Sequence, residues 1–401
     1  MTEKTPTGAL AGIKVIDLSR VLGGPLCGQI LADHGADVIK IEPPQGDETR
    51  DWGPPFKDGL SAYFSGVNRN KRSLALDISK SEGREVLLRL LDGADVLLEN
   101  FKTGTLEKWD LGYDDVLSKR FPTLVHCRVS GFGADGPFGG MPGYDAAIQA
   151  WAGLISVNGT PDSSGVRLGI PLVDLGTGMN ATIGISMALF ERASSGKGQF
   201  VETSLYDTGV ALLHPQAPNY LMSGKPPVLT GNAHPNISPY DLYKTQGRDI
   251  FLAVGNGRQF ARLCAELGKP ELAEDPRYLT NADRVVNRAD LTAELEALLA
   301  DHDGEALATR LMQIGVPAGA ALTVPEVMEH PHTLHRKMHV EIDNYAGTGV
   351  PVKMSRTPGS ARTKPPLFGE QGREILAEAG FGDDEIDALH ADGLVFSERR
   401  N

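Results

Sequence analysis

The segment Ile13–Ile41 restricts the fold more than any other part of this chain. Ile13–Leu18 is a short apolar run with Lys14 and Asp17 near its ends, the pattern of a buried strand. Ser19–Gly24 is a glycine-containing turn, and Pro25 opens a helix, because a first-turn residue needs no N–H donor. That helix runs through Leu26, Ile30 and Leu31 and stops at Gly35, a left-handed cap. Asp37–Ile41 then returns as a second strand. Strand, short turn, helix and strand make one βαβ unit, whose crossover is right-handed.

The pattern recurs. Leu74–Leu76 is a short strand, and Ser79 with Glu82 fits a capping box ahead of the apolar stripe Val86, Leu87, Leu90 and Leu91. Val96–Glu99 and Leu124–Ser130 are further strands, and Gln199–Leu205 another. Alternating strands and helices imply an α/β fold with an open, mostly parallel sheet covered on both faces. Ligands of such sheets sit outside the carboxyl ends of the strands. The loops to watch are therefore 19–24, 42–53, 100–104 and 130–144.

Downstream, Gly176–Ala193 reads as a long helix of small residues. Residues 216–235 are rich in Pro, Gly and Asn and read as a linker. A smaller α+β unit follows over 236–330, with a strand at Ile250–Val254 and helices at Arg258–Leu267 and Ala289–Leu299. A last helix, Glu370–Glu378, precedes a charged tail.

Composition excludes several functions. The net charge of −13 argues against a nucleic-acid partner, since nothing broad and basic is available to neutralise phosphates. Three scattered cysteines, Cys27, Cys127 and Cys264, make no disulfide framework and fit a reducing compartment. The polar start Met1–Gly8 lacks a signal-peptide pattern, and the apolar stretch around Ala181–Phe190 is too interrupted to span a bilayer. A cytoplasmic protein with no membrane partner is expected.

Several ordered segments carry more specific information. They are GIKVIDLSRVLGGP (12–25), GADVIKIEPPQGDETR (35–50), NRNKRSLALDI (68–78), ADVLLENFKTG (94–104), VSGFGADGP (129–137) and GYDAAIQAWAGL (143–154). PLVDLGTGM (171–179), GKGQFVETSLYD (196–207), GNAHPNISPYDLY (231–243), GVPAG (315–319) and PPLFGE (365–370) follow in turn. Together they resemble the class III CoA-transferases, the group of formyl-CoA:oxalate and carnitine CoA-transferases. The resemblance spans nearly the whole chain.

The resemblance implies a Rossmann-like large domain built from 1–215 and 331–401, and a homodimer of interlocked chains. It implies transfer of CoA from an acyl-CoA donor to a carboxylic acid, with CoA as substrate and neither metal nor redox cofactor. The family's nucleophilic aspartate falls on Asp174, because D-x-x-T-G-M is intact as Asp174, Thr177, Gly178 and Met179. From position alone, the N-cap of the helix that follows is the favoured reading of Asp174; the resemblance reverses it. CoA-contact segments carry over to Arg20, Val21, Leu22 and Gly23; to Leu76, Asp77, Ile78 and Ser79; to Asn100, Phe101, Lys102 and Lys108; and to Pro142, Gly143, Tyr144 and Asp145. The phosphates would take charge from Lys102, Lys108, and Arg72 or Lys71. Without the resemblance, 68–72 reads as a solvated basic turn and Phe101 as core.

Three departures narrow the chemistry. Leu22 stands where formyl-CoA transferase has a glutamine, and Pro43 where it has an arginine at the nucleotide. Racemases of the superfamily place a histidine beside the equivalent of Asp145, where this chain has Tyr144, a poor proton carrier at neutral pH. The loop after Gly231-Asn232-Ala233 is bulky, running from His234 to Tyr240, where oxalate-specific members have glycines. With GDETRDWGPPF (46–56) it points to a dicarboxylate larger than oxalate, such as succinate or glutarate. His234, Tyr240 and Arg50 are the substrate-binding candidates, with Arg72 and Arg167 as other partners for a distal carboxylate.

Rival readings are a racemase on the same fold, a nucleotide-binding dehydrogenase, and a metal-binding or structural module. The second lacks G-x-G-x-x-G spacing at Gly23-Gly24 and has Phe260 where Gly255-Asn256-Gly257 needs a third glycine. The third rests on His330, His332, His335 and His339, with His335 and His339 on one helix face, but no carboxylate or cysteine pattern completes a site.

Overall fold

The computed structural model describes residues 8–400. They form two compact units: one comprising residues up to Gly153, Leu168–Leu212 and Met328 onward, the other Leu154–Arg167 and Leu213–Val327.

The first unit is built on a seven-stranded sheet. Its strands are β1 (Lys14–Asp17), β2 (Asp37–Glu42), β3 (Lys71–Leu76), β4 (Val96–Glu99), β5 (Val125–Ser130), β6 (Phe200–Ser204) and β7 (Val395–Phe396). Their spatial order is β7-β3-β2-β1-β4-β5-β6. All pairs are parallel except β7–β3, so the C-terminal segment adds an antiparallel edge to a doubly wound sheet. The order reverses between β1 and β4, where the chain leaves β1 toward one side and β4 toward the other. A crevice opens there at the carboxyl ends of the strands.

Helices cover both faces: α1 (Gly23–Asp33), α2 (Ser81–Leu91), α3 (Asp145–Trp151), α4 (Leu172–Ser195), α5 (Leu205–Ala211), α6 (Gly372–Glu378) and α7 (Asp383–Ala391). The apolar stripe of α2 is buried with Ile16, Ile39, Leu74, Leu97 and Ile375 in one core. Each such side chain contributes roughly 1.5–3 kcal/mol of burial. The capping box expected from Ser79 and Glu82 does not form. Ser79 Oγ instead donates to Asp77 Oδ1, and the helix starts two residues later behind Lys80. A local aspartate outcompetes the helix end for the hydroxyl.

Helix α4 begins four residues before the expected Gly176, so Asp174 lies inside its first turn rather than ahead of it. Among the described residues α4 is the helix long and apolar enough to cross a membrane by length and composition. It packs here against α1, β5, β6 and α5, burying Ala181, Ile185 and Ala188. Its approach to α1 is close because Gly178 has no side chain: a Cβ there would lie 2.5 Å from Gly23 O and 3.2 Å from Leu26 Cβ.

The second unit has a three-stranded antiparallel sheet, Ala318–Ala320, Ile250–Ala253 and Tyr240–Tyr243, under helices Gly257–Glu266, Arg288–Leu299 and Gly304–Gln313. The stretch read as a linker belongs to this unit, and its first part, Gln216–Ser223, is helical despite Pro218. A third-position proline needs no intrahelical donor.

Gly178→Val should cost about 1–3 kcal/mol in chemical denaturation, because the added side chain forces α1 and α4 apart. Gly257→Ala, where a Cβ meets nothing within 4 Å, should stay within about 0.5 kcal/mol.

Candidate active site

Buried charge fixes the loops at the carboxyl ends of β1 to β3. Lys40 Nζ donates to Asp47 Oδ2 at 2.9 Å and to Ser19 O at 2.8 Å, with both side chains wholly buried. Beside that ammonium, the Asp47 carboxyl is held well below the ordinary carboxylate range. Asp47 accepts from Thr49 N, capping the short 3₁₀ turn Glu48–Asp51, and from Val21 N at 3.3 and 3.4 Å. Val21 sits at φ 72°, a left-handed conformation that a β-branched residue adopts at a cost of order 1–3 kcal/mol. Across the switch point, Asn100 Oδ1 accepts from Arg20 N at 2.9 Å and Asn100 Nδ2 donates to Arg20 O at 2.7 Å. One side chain thereby joins the β1 and β4 loops.

These loops enclose a cavity of about 220 Å³. Arg20, Val21, Leu22 and Gly23 form one wall, Asn100, Phe101, Lys102 and Thr103 another, and Ser130, Gly131 and Gly140–Tyr144 a third, with Glu48 and Asp174 facing them. All four loops singled out from the sequence contribute. A second cavity of about 330 Å³ adjoins it and shares Arg20 and Phe101. Leu76, Asp77, Ile78 and Ser79 line that one, together with Pro43, Pro44 and Trp109. Phe101 and Trp109 meet edge to face at 5.5 Å.

Asp174 is nine per cent exposed, and among the described residues its carboxylate has no hydrogen-bond donor. Burial pushes it up to about 7, and the charge of Asp145 adds to the shift. The dipole of α4 favours the anion by at most ~1 kcal/mol, too little to offset burial. Gly23 lies against it: a Cβ on Gly23 would stand 3.9 Å from Asp174 Oδ1. Gly23 opens α1, which has no side-chain cap; Pro25 has no N–H and Leu26 N donates to Leu22 O, so the N–H groups of Gly23 and Gly24 are the ones left without an intrahelical partner.

Asp145 does not line the cavity. Its Oδ2 accepts from Val173 N at 2.8 Å and Asp174 N at 3.2 Å, and its Oδ1 accepts from Gln149 Nε2. It caps α4 from outside, in place of Pro171 at the N-cap position. The alternative of Asp174 as the cap is thereby corrected. Asp174 is the third helical residue, and Asp145 satisfies its N–H.

Other expectations are also corrected. Arg50 is buried and binds Glu42 through two bonds of 2.7 and 2.8 Å, stacked on Phe64 at 3.8 Å, so it is not open to a substrate. Residues 68–72 are no solvated turn. Lys71 gives its three protons to Asp17, Asn68 and Pro25 O, and Arg69 pairs with Asp33. Arg72 is held by Asp37, Glu374 and Glu378. Neither Lys71 nor Arg72 can serve CoA phosphates without breaking these pairs. Lys108 is exposed on the short helix Thr105–Lys108 and lines neither cavity.

His234 and Tyr240 lie together in the second unit, rings 5.0 Å apart, with His234 O accepting from Arg288. Arg167 belongs to that unit too. His335 ends the helix Pro331–His335 and His339 opens a strand, so they share no helix face. Among the described residues no group of three or more His, Cys, Asp or Glu is arranged to hold a metal.

Glu48, Trp109 and Tyr63 were missed. Glu48 lines the first cavity and accepts from Tyr144 Oη at 3.5 Å. The Tyr63 hydroxyl is pushed up to about 12 by burial and by Asp174. Glu48 sits within GDETR, so the motif marked the place but not the residue.

Comparison with known proteins agrees with this architecture. The model of CoA-transferase family III matches residues 10–372. The succinate–glutarate CoA-transferase of Agrobacterium fabrum is 40% identical over 92% of this chain and 95% of its own length. The acetyl-CoA:oxalate CoA-transferase of Acetobacter aceti is 38% identical over 94% and 98%. The crystal structure of a CAIB/BAIF family protein from Brucella suis superimposes with a TM-score of 0.83 at 42% identity, covering 93% of this chain and all of that one. A doubly wound sheet with its crevice at the β1–β4 switch, matched along nearly its whole length, makes this chain a member of CoA-transferase family III.

Proposed function

We propose that this enzyme moves CoA from succinyl-CoA or a similar donor to a dicarboxylic acid of about glutarate size, through covalent intermediates on Asp174. The observation that carries the reading is the Asp174 carboxylate, buried in the cavity without a hydrogen-bond donor and facing the uncapped start of α1. An anion stripped of water and donors is a stronger nucleophile than a hydrated one.

An Asp174 oxygen attacks the donor thioester carbonyl. The N–H of Gly23, at the open start of α1, meets the oxyanion, and collapse breaks the C–S bond to give a mixed anhydride and CoA thiolate. The thiolate attacks the aspartyl carbonyl, releasing the donor acid and leaving an aspartyl–CoA thioester. The acceptor carboxylate then displaces the thiolate to form a second anhydride. Finally the thiolate attacks the acceptor's carbonyl and frees Asp174. Every stage keeps the activation as anhydride or thioester.

The first cavity is smaller than the roughly 300–1,000 Å³ of a drug-sized site, so it suits the acyl end alone. The nucleotide would lie along Leu76–Ser79, Pro43 and Trp109, with Lys102 and Lys108 near its phosphates. Tyr144 supports transfer over racemisation, since burial and Glu48 raise its hydroxyl further above neutrality. The relatives' names support a diacid, although one of them takes oxalate, so the preference for a longer acid rests on the His234–Tyr240 loop. The working form is a cytoplasmic homodimer. Met179, Ile183 and Met187 form an exposed apolar stripe one turn apart on α4, which a second copy would cover. Sedimentation equilibrium should return about twice the chain mass, and a monomer at micromolar concentration would exclude it.

Asp174→Ala should abolish transfer while CoA still binds. Hydroxylamine added after succinyl-CoA should modify wild type at Asp174, and a hydroxamate elsewhere would refute the covalent role.

Asp174 must be ionised to attack, so kcat/KM for the donor should rise about tenfold per pH unit below about 7 and level off above it. Because Asp145 raises the Asp174 pKa, Asp145→Asn should move this limb to lower pH. An unmoved limb would assign the profile to another group.

A further inference from the structure

Resting on the CoA-transferase reading, we propose that Arg20 is the specificity-determining residue of the acyl cavity, its guanidinium holding the distal carboxylate of a dicarboxylate substrate.

A diacid's reacting carboxyl loses its charge as it becomes an anhydride or thioester. The distal carboxylate stays ionised through every stage. It enters a cavity already lined by Glu48 and Asp174, and a desolvated charge without a partner is costly. A cation must meet it.

Lining that cavity, the cations are Arg20 and Lys102. Lys102 is exposed, on a loop, and suits phosphate. Arg20 is half-buried, and among the described residues its guanidinium has neither ion pair nor hydrogen-bond partner. Its neighbours are otherwise engaged, Glu48 by the Tyr144 hydroxyl and Asp47 by Lys40. Arg50 and Arg72, offered by the sequence, are closed within ion pairs.

The backbone of Arg20 is fixed from both sides. Asn100 takes its N–H and its C=O, and the next residue, Val21, is held in a left-handed conformation against Asp47. A planar fork on a fixed Cα is suited to bidentate carboxylate recognition. Tyr144 lies in the field of both Arg20 and Asp174, so the two charges address the same cavity.

The test compares wild type, Arg20→Gln and Arg20→Lys. With succinyl-CoA as donor, kcat/KM is measured for glutarate and for valerate, which has the same chain length and one carboxylate. Direct calorimetric binding of glutarate, valerate and free CoA runs in parallel and needs no turnover. In Arg20→Gln the glutarate-to-valerate ratio should fall by about 30-fold in rate and in binding, with Arg20→Lys recovering part of it. An unchanged ratio overturns the proposal. So does free CoA weakening as much as glutarate, which would place Arg20 on the phosphates. If wild type transfers nothing and hydroxylamine traps nothing, the transferase reading has failed, and the glutarate binding arm still decides the role of Arg20.

Discussion

Asp145 Oδ2 accepts the N–H groups of Val173 and Asp174, and the rest of the site depends on that pair of bonds. A cap of this kind contributes about 0.5–2 kcal/mol to a helix. Its larger consequence is positional, because the capped turn carries Asp174. Pro171 precedes the turn and offers no side-chain acceptor, so the anion comes from a helix 28 residues earlier in the chain. That arrangement sets a second negative charge beside Asp174. The same contact therefore holds Asp174 in place and raises its pKa.

The loops around it are framed by buried ion pairs rather than by apolar packing. Lys40–Asp47, Lys71–Asp17 and Arg50–Glu42 are each almost fully buried, three cations against three anions. Desolvation cancels much of their attraction, so they are weak sources of stability. Removing one partner, however, strands a charge at about 3–5 kcal/mol. These pairs thus leave the β1 and β2 loops few alternative arrangements, and Val21 keeps a strained backbone because Asp47 holds its N–H.

Periodicity was enough to read the sheet. Runs such as Val15-Ile16 and Val38-Ile39 are buried on both faces, and their spacing in the chain matches βαβ crossovers. Asp174 lines the first cavity, and most residues assigned to CoA line one of two adjoining cavities. Sequence reasoning failed where a side chain's partner lies far along the chain. Lys71 looks like an available cation until Asp17 is seen 54 residues away. Asp145 reads as a ligand contact for the same reason. Residues 216–223 look like a linker because Pro and Gly signal irregularity, yet a proline in the first turn is compatible with a helix. The antiparallel β7 has two residues, too few for any period to show.

Two helices begin at this site, and they differ in one respect that organises the chemistry. The N-terminus of α4 is already occupied by the Asp145 carboxylate, while that of α1 has no side-chain cap. An open helix start is a standing set of donors for negative charge. The Asp174 carboxylate lies near it without accepting a hydrogen bond from the described residues, so in the covalent mechanism proposed above a donor would remain for the oxygen that gains charge. Leu22 brings no side-chain donor, so in the proposed mechanism the backbone would have to meet the oxyanion. Gly23 packs beside Asp174, where a Cβ would stand 3.4 Å from the Asp174 carbonyl oxygen, in ordinary van der Waals contact.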